Sequence, residues 1–240
     1  MRNIGSVPIS AFGQRWRLRL VQRLMPRAAR IVVPGVALHI VQRGNNRAAC
    51  FFSDSDRLTY LRLLLEYSRQ VGCAVHAYCL MTNHVHLLVT PRAPDACGIL
   101  MKHVGQHYVE HVNRVHARTG TLWEGRFRSS LVASAEYVLA CYRYIELNPV
   151  RACLSEHPRD HPWSSYRANA EGAADSLLEP HPYYTALEND PDRLRRTYSQ
   201  LLGAPMETEL LSEIRAASRA GTALGSKRRG RGRPPKENRV

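Results

Sequence analysis

Short apolar runs bounded by turn residues predict four β-strands in the first 132 residues of the chain. Residues 36–43, 74–81 and 84–89 are rich in apolar and β-branched side chains, and Gly, Asn or Pro follows close behind each run. Runs of this kind are typical of strands. Residues 129–132 predict a fourth strand. Because Thr-Asn alone separates the second run from the third, those two strands are expected to form a hairpin.

Apolar residues at helical spacing predict long helices between and after these strands. The first covers residues 53–72, with a Ser-Asp-Ser-Asp cap at its start and a glycine at its end. Further helices are expected over residues 95–118 and 134–148, the latter ending because a residue before proline leaves helical space. Residues 155–185 are expected to form an irregular crossing segment, and residues 191–220 are predicted to be helical again.

The order strand, helix, strand, strand, helix, strand predicts an α+β fold of ferredoxin-like type. Such a fold is a sandwich in which a four-stranded antiparallel sheet carries two main helices on one face. The strand that begins at His84 would be central in this sheet. We expect the core domain over residues 25–170, a helical C-terminal extension over residues 171–224 and a basic tail over residues 225–240. The first 24 residues are expected to be a dispensable basic extension, since Met25 offers a second start.

The net charge of +14 is concentrated at the two ends of the chain. Residues 1–30 contain seven arginines and no acidic residue, and residues 227–240 contain five arginines and two lysines against one glutamate. Basic ends on a nearly neutral body are typical of arms that contact nucleic-acid phosphate, although a solubilising tail has the same composition. No apolar run is long enough to span a membrane. Six scattered cysteines without C-x-x-C favour a reduced, cytoplasmic location, and DNA-binding arms would associate the protein with the nucleoid.

Two histidines near the start of the third predicted strand are candidates for a metal site. His84 and His86 flank one apolar residue, and residues two apart in a strand point to the same face. Two imidazoles held side by side could bind a divalent metal. Taken alone, however, the same pair fits a polar strand edge that faces water.

Tyr144 and Asn148 lie four residues apart on the third predicted helix and would therefore share a face. A phenol can act as a covalent nucleophile when a metal makes its target reactive. The amide oxygen could complete a metal shell that two imidazoles leave short. Taken alone, Tyr144 is more simply explained as a core tyrosine, and Tyr137 and Tyr142 are rivals on the same helix.

Three separated motifs resemble those of the REP-associated tyrosine transposases, members of the single-tyrosine HUH superfamily related to IS200-type elements. The motifs are residues 81–89, 122–127 and 144–152, in the expected order. The resemblance covers roughly residues 25–170 and implies a catalytic domain there. It implies that a histidine pair binds Mg²⁺ or Mn²⁺, and that a helix tyrosine attacks single-stranded DNA to give a 5′-phosphotyrosine intermediate and a free 3′-OH.

Matched residue by residue, the resemblance assigns His84 and His86 to the metal and Tyr144 to the nucleophile. It assigns Asn148 to a third metal ligand. The implied partners are palindromic repeats whose hairpins are exposed as single-stranded DNA. The resemblance allows either a monomer or a homodimer.

Binding of single strands requires basic side chains for phosphate and aromatic faces for bases. The candidates for contact with DNA are Arg43, Asn45, Asn46, Arg47 and Arg126. The nearby Trp123 and Phe127 are expected to pack in the core rather than stack on bases.

The basic tail resembles an AT-hook in its sequence Arg231-Gly232-Arg233-Pro234. An extended chain of this kind would insert Arg231 and Arg233 into a narrow minor groove, where the potential is most negative. The tail is therefore a second candidate for contact with DNA.

Two other functions are compatible with parts of this pattern. A domesticated, non-catalytic DNA- or RNA-binding protein would keep the fold and the basic ends, and a hydrolase acting through a metal-bound water would not need Tyr144. The complete set of His84, His86, Tyr144 and Asn148 favours the transposase.

Overall fold

A four-stranded antiparallel sheet forms the centre of the computed structural model, which describes residues 30–225. Its strands are β1 (Ala37–Arg43), β2 (Cys73–Leu80), β3 (His84–Pro91) and β4 (Arg128–Val132). They lie in the order β2-β3-β1-β4, with every neighbouring pair antiparallel. This is the predicted ferredoxin-like order, and β3 is central as expected.

Two long helices, α1 (Asp54–Val71) and α2 (Ala96–Val115), cover one face of the sheet as predicted. A capping box starts α1, because Ser53 Oγ accepts from the Asp56 N–H while the Asp56 carboxylate accepts from the Ser53 N–H. Gly72 ends it with a φ of 64°, a conformation that favours glycine. The core on this face includes Leu38, Ile40, Leu64, Val85, Leu87, Leu100 and Tyr108.

A third helix, α3 (Ala135–Glu146), lies on the opposite face of the sheet and packs with Ala77, Leu88 and Val132. After one residue, a short helix α4 (Asn148–Arg151) follows, with proline in its first turn. The expectation that helical structure ends at the proline was therefore wrong. A proline in a first turn is tolerated because the N–H that it lacks has no partner within the helix there.

The remaining helices complete this second layer. They are α5 (Tyr166–Glu171), α6 (Pro182–Thr185), α7 (Pro191–Gly203) and α8 (Thr208–Ala220). The stretch predicted to be helical from residue 191 to 220 thus forms two helices, and α8 packs against β1 and β4. The domain boundaries stay predictions, although α7 and α8 share one core with α3. Within the described residues, no helix has the length and hydropathy needed to cross a membrane.

A buried carboxylate ties this layer to the end of α3. Glu146 accepts hydrogen bonds from Ser165 Oγ at 2.6 Å, Asn169 Nδ2 at 2.7 Å and the Tyr198 hydroxyl at 2.7 Å. Burial raises the pKa of Glu146, and the three donors oppose that shift by stabilising the ionised form. The network fixes the helix end that carries Tyr144.

Candidate active site

The two histidines at the start of β3 lie on the α3 side of the sheet. Val85 between them is buried in the core under α1 and α2, whereas His84 and His86 line a cavity on the opposite face. Their register partners in β1 are Arg43 and Val41. The two imidazole centroids are 4.8 Å apart. The spacing of the two residues therefore predicted their common face correctly.

Each of these imidazoles is held through its Nδ1 atom. His84 Nδ1 lies 2.6 Å from Oδ1 of Asn83, and His86 Nδ1 lies 2.9 Å from Nε2 of His39. His39 is a fully buried residue of β1 whose ring stacks on His86 with centroids 5.2 Å apart. These contacts leave the Nε2 atoms of His84 and His86 available to a ligand in the cavity.

The electrostatics keep both candidate ligands neutral at physiological pH. Burial lowers the pKa of His84 to about 4, and the charge of Arg43 adds to the effect. Burial also lowers the pKa of His86 well below its ordinary value, with further repulsion from His39 and His84. A neutral imidazole keeps the lone pair that a metal needs. The protonation state of the pair therefore suits metal ligation.

Tyr144 and Asn148 reach the same cavity from α3 and α4. The cavity has a volume of about 380 Å³. The Tyr144 ring is 8% exposed and stands edge-on to the His86 ring, with centroids 5.6 Å apart. Asn148 Nδ2 is buried without a hydrogen-bond partner in the described structure. The cavity thus brings together all four residues that the sequence assigned to metal and nucleophile.

The rival tyrosines on α3 are engaged elsewhere. The Tyr142 ring stacks on Tyr184, and its hydroxyl accepts from the backbone N–H of His181. The Tyr137 hydroxyl donates to the carboxylate of Glu213 on α8. Of the three tyrosines, Tyr144 alone contributes to the cavity lining within the described residues.

Arg151 at the end of α4 lies against the candidate nucleophile. Its guanidinium carbon is 4.3 Å from the centroid of the Tyr144 ring, and Nη2 donates to the Tyr144 carbonyl oxygen. Burial lowers the pKa of Arg151 to about 10, so the side chain remains charged at neutral pH. A cation over an aromatic face is attracted to it, and Arg151 thereby orients the Tyr144 ring.

The remainder of the cavity lining is strongly basic. Arg43, Arg47 and Arg126, which the sequence predicted to bind DNA, all line it. Three further arginines were not predicted: Arg128, Arg215 and Arg219. In this lining, Glu124 is the one carboxylate. Such a concentration of positive charge in a concave site favours a polyanion such as a nucleic acid strand.

The other predicted DNA-binding residues lie elsewhere. Asn45 and Asn46 are exposed in the turn after β1 but do not line the cavity. Arg231 and Arg233 lie outside the described residues. The expectation that Trp123 and Phe127 pack rather than stack on bases is confirmed, since both are buried in the core under α1 and α2.

A divalent metal fits the site through its donor set, although the set is small. Among the described residues, no group of three or more His, Cys, Asp or Glu could hold a metal, so Glu124 does not complete the histidine pair. Asn148 supplies a neutral amide beside two neutral imidazoles, and its buried Nδ2 has no protein partner. Two imidazoles and one amide oxygen leave coordination positions for solvent or phosphate oxygens.

Family comparison places this domain among the transposases. Residues 32–148 match the family model described as IS200-like transposase, and this range contains the sheet, both histidines, Tyr144 and Asn148. The chain therefore belongs to the IS200-like transposases through the domain that these residues form. No curated protein sequence matches the chain significantly.

Similar folds occur among solved structures. One is a REP-associated tyrosine transposase bound to a REP hairpin, at 15% identity over 65% of this chain and 93% of that chain, with a TM-score of 0.53. Another is a Deinococcus radiodurans protein described as a transposase, at 18% identity over 57% of this chain and 98% of that chain, with a TM-score of 0.35. At this identity, the first likeness shows the fold alone.

Proposed function

We propose that this chain is a metal-dependent transposase that cleaves and rejoins single-stranded DNA near hairpin-forming palindromic repeats, through a covalent 5′-phosphotyrosine on Tyr144. One observation carries the proposal: Tyr144, His84, His86 and Asn148 converge on one arginine-lined cavity. Membership of a transposase family supports strand transfer as the reaction class.

The proposed cleavage step is a transfer of a phosphodiester from one oxygen to another. The Tyr144 oxygen attacks phosphorus and forms a P–O bond, while the bond from phosphorus to the 3′ oxygen breaks. The phenol loses its proton to solvent, and the departing 3′ oxygen takes up a proton to become a free 3′-OH. A 3′-OH can later attack the phosphotyrosine and reverse the step, which rejoins DNA without an external energy source.

Protein side chains around Tyr144 support this step. The positive charge of Arg151 over the ring stabilises the negative charge that develops on the phenol oxygen during attack. The arginines of the cavity lining would hold the phosphates on either side of the reacting bond. Tyr144 is buried, so its approach to phosphorus is restricted to the cavity side.

His84, His86 and Asn148 would hold the divalent metal, Mg²⁺ or Mn²⁺. When bound, the metal would polarise the phosphodiester and offset its developing charge. Two nitrogen ligands and one amide oxygen suit Mn²⁺ at least as well as Mg²⁺.

Hairpin DNA is the proposed substrate because the similar solved transposase was bound to a REP hairpin. The basic lining of the cavity is compatible with a DNA strand. We further propose a cytoplasmic, nucleoid-associated location, where the chain acts as a monomer or a homodimer.

The experiment incubates the full chain with Mn²⁺ and a single-stranded hairpin oligonucleotide from its own flanking repeat. A label at the 3′ end should appear in a protein–DNA adduct that resists denaturation, because the 5′ phosphate stays on Tyr144. A label at the 5′ end should appear in a shorter, free fragment with a 3′-OH. Tyr144→Phe should form no adduct, and a chelator should abolish adduct formation by the wild type.

Tyr137→Phe is the matched control, since it removes a phenol of the same helix that lies outside the cavity. It should form the adduct at the rate of the wild type. An adduct formed by Tyr144→Phe would overturn the assignment of the nucleophile. Binding of the hairpin by the wild type without any adduct would instead support the non-catalytic DNA-binding function.

A further inference from the structure

A chain of three side chains connects the candidate metal ligand His86 with the C-terminal helix α8. His86 Nδ1 lies 2.9 Å from Nε2 of His39, and His39 Nδ1 lies 3.1 Å from Oγ of Ser218. His39 therefore uses both of its ring nitrogens. Ser218 belongs to α8 and lines the cavity, although it lies outside the residues that match the family model.

The direction of these hydrogen bonds depends on the tautomer of His86. An imidazole that binds a metal through Nε2 carries its proton on Nδ1, so His86 must donate to Nε2 of His39. A neutral His39 then carries its own proton on Nδ1 and donates to the Ser218 oxygen. In the reversed chain, Ser218 donates to His39 and His39 donates to His86, whose Nε2 is then protonated and cannot bind a metal.

We propose that His39 and Ser218 are positioning residues for His86. Ser218 accepts the proton of His39 Nδ1, and this acceptance keeps His86 in the tautomer that presents a lone pair to the cavity. The inference rests on the proposed metal site and adds α8 to it as a working part.

Packing around His39 holds this chain in place. The ring of His39 stacks on His86 at an interplanar angle of 16° and stands edge-on to Tyr144, with the latter centroids 5.6 Å apart. A buried N–H without an acceptor is unfavourable. Loss of the Ser218 oxygen would therefore drive the His39 proton to Nε2 and reverse the chain.

The test measures two properties of the full-length protein. The affinity for Mn²⁺ is measured from the electron paramagnetic resonance signal of the free ion, and the tautomers of His39 and His86 are assigned in the metal-free protein by long-range ¹H–¹⁵N correlation. Since loss of such an outer partner weakens metal binding about 10- to 100-fold, Ser218→Ala should bind Mn²⁺ at least about tenfold more weakly. It should also carry the His86 proton on Nε2.

Ser218→Thr keeps the hydroxyl and should bind Mn²⁺ as the wild type does. Ser212→Ala removes an exposed serine from the same helix and is the matched control. His39→Phe keeps an aromatic ring against His86, and addition of Ser218→Ala to it should weaken Mn²⁺ binding no further, because Ser218 acts through His39.

Wild-type Mn²⁺ affinity in Ser218→Ala, or a full additional loss in the double variant, would overturn the inference and leave the metal site intact. Failure of the proposed function has a different signature. If the wild type and His84→Ala bind Mn²⁺ equally, the metal site itself is wrong.

Discussion

Burial gives the histidines of this molecule two uses. At the cavity it keeps His84 and His86 neutral, which leaves them able to act as ligands. On the same layer, His181 has a structural use, since its Nδ1 accepts from the Tyr183 N–H and caps α6. Burial lowers the pKa of His181 to about 4, and repulsion from His76, whose ring centroid is 4.9 Å away, adds to the effect. The same desolvation thus makes the fold sensitive to acid.

The free energy of unfolding should fall as the pH is lowered from the ordinary histidine pKa. In the unfolded chain His181 titrates near about 6.5, whereas in the folded chain its pKa is about 4. Between these values the unfolded state binds a proton that the folded state does not, so stability is complete above this window and is lost through it. The loss from this residue is up to about 1.4 kcal/mol per pH unit.

His181→Asn isolates this effect because asparagine keeps a capping side chain and does not titrate. Urea unfolding at several pH values should show a shallower loss of stability for this variant between about pH 6.5 and about pH 4. Parallel stability curves for wild type and variant would contradict the assignment.

The residues that support the site could not be predicted as the site itself was. The pair at His84 and His86 follows from spacing within one strand, and Tyr144 and Asn148 follow from spacing along helical residues. His39 depends on the register between β1 and β3, which local spacing does not contain. Its other partner, Ser218, is 179 residues away along the chain and meets it only because α8 packs against β1.

At the scale of elements, α8 serves the core with one side and the cavity with another. Ile214 and Ala217 are buried in the core that α8 shares with α3. Arg215, Ser218 and Arg219, at spacings of three and four residues, line the cavity. A helix beyond the family-matched range thus supplies two of the arginines around the candidate nucleophile.

The double variant Arg215→Ala/Arg219→Ala should bind single-stranded DNA more weakly and with less dependence on salt. Each lost phosphate contact reduces the salt slope of single-strand binding by about 0.7, so two lost contacts reduce it by roughly 1.4. Fluorescence anisotropy of a labelled strand at several salt concentrations measures both changes.

The matched control removes two exposed arginines from α7, in the variant Arg193→Ala/Arg196→Ala. It lowers the net charge equally without touching the cavity lining. If both double variants lose the same slope, the arginines of α8 act only through overall charge.

The sequence predicted the first layer of elements better than the second. Apolar periodicity and capping residues located the strands, α1 and α2, because these elements are long and their ends carry clear signals. Helices α5 and α6 have six and four residues, too few for a periodic pattern. The apolar side of α3 also gave no indication of which face of the sheet it covers.

At the scale of the whole molecule, positive charge is distributed unevenly. The 196 residues between the basic ends carry a net charge of only +1, yet six arginines and a single glutamate line one cavity among the described residues. A nearly neutral body with a basic cleft attracts a nucleic acid strand to that cleft rather than to its general surface. Basic ends would add contacts outside the cleft.

Removal of the basic tail should weaken DNA binding and flatten its salt dependence while the covalent step survives. The chain can be truncated after Gly225, because Leu224 is buried and its N–H donates to the Leu131 carbonyl at 2.8 Å, a contact that the variant must retain. The removed segment includes Arg231 and Arg233 and carries five arginines and two lysines against one glutamate. With each lost phosphate contact on duplex DNA, the slope falls by about 0.9.

Anisotropy with a hairpin that has an AT-rich stem measures the tail's contribution, and a GC-rich stem of the same length tests for minor-groove contact. We expect the truncated chain to lose more affinity for the AT-rich stem, since a narrow minor groove attracts inserted arginines. At saturating DNA it should still form the phosphotyrosine adduct, because Tyr144 and its cavity are intact. A salt slope equal to that of the full chain would remove residues 226–240 from the DNA interface, and loss of the adduct at saturation would give them a part in catalysis.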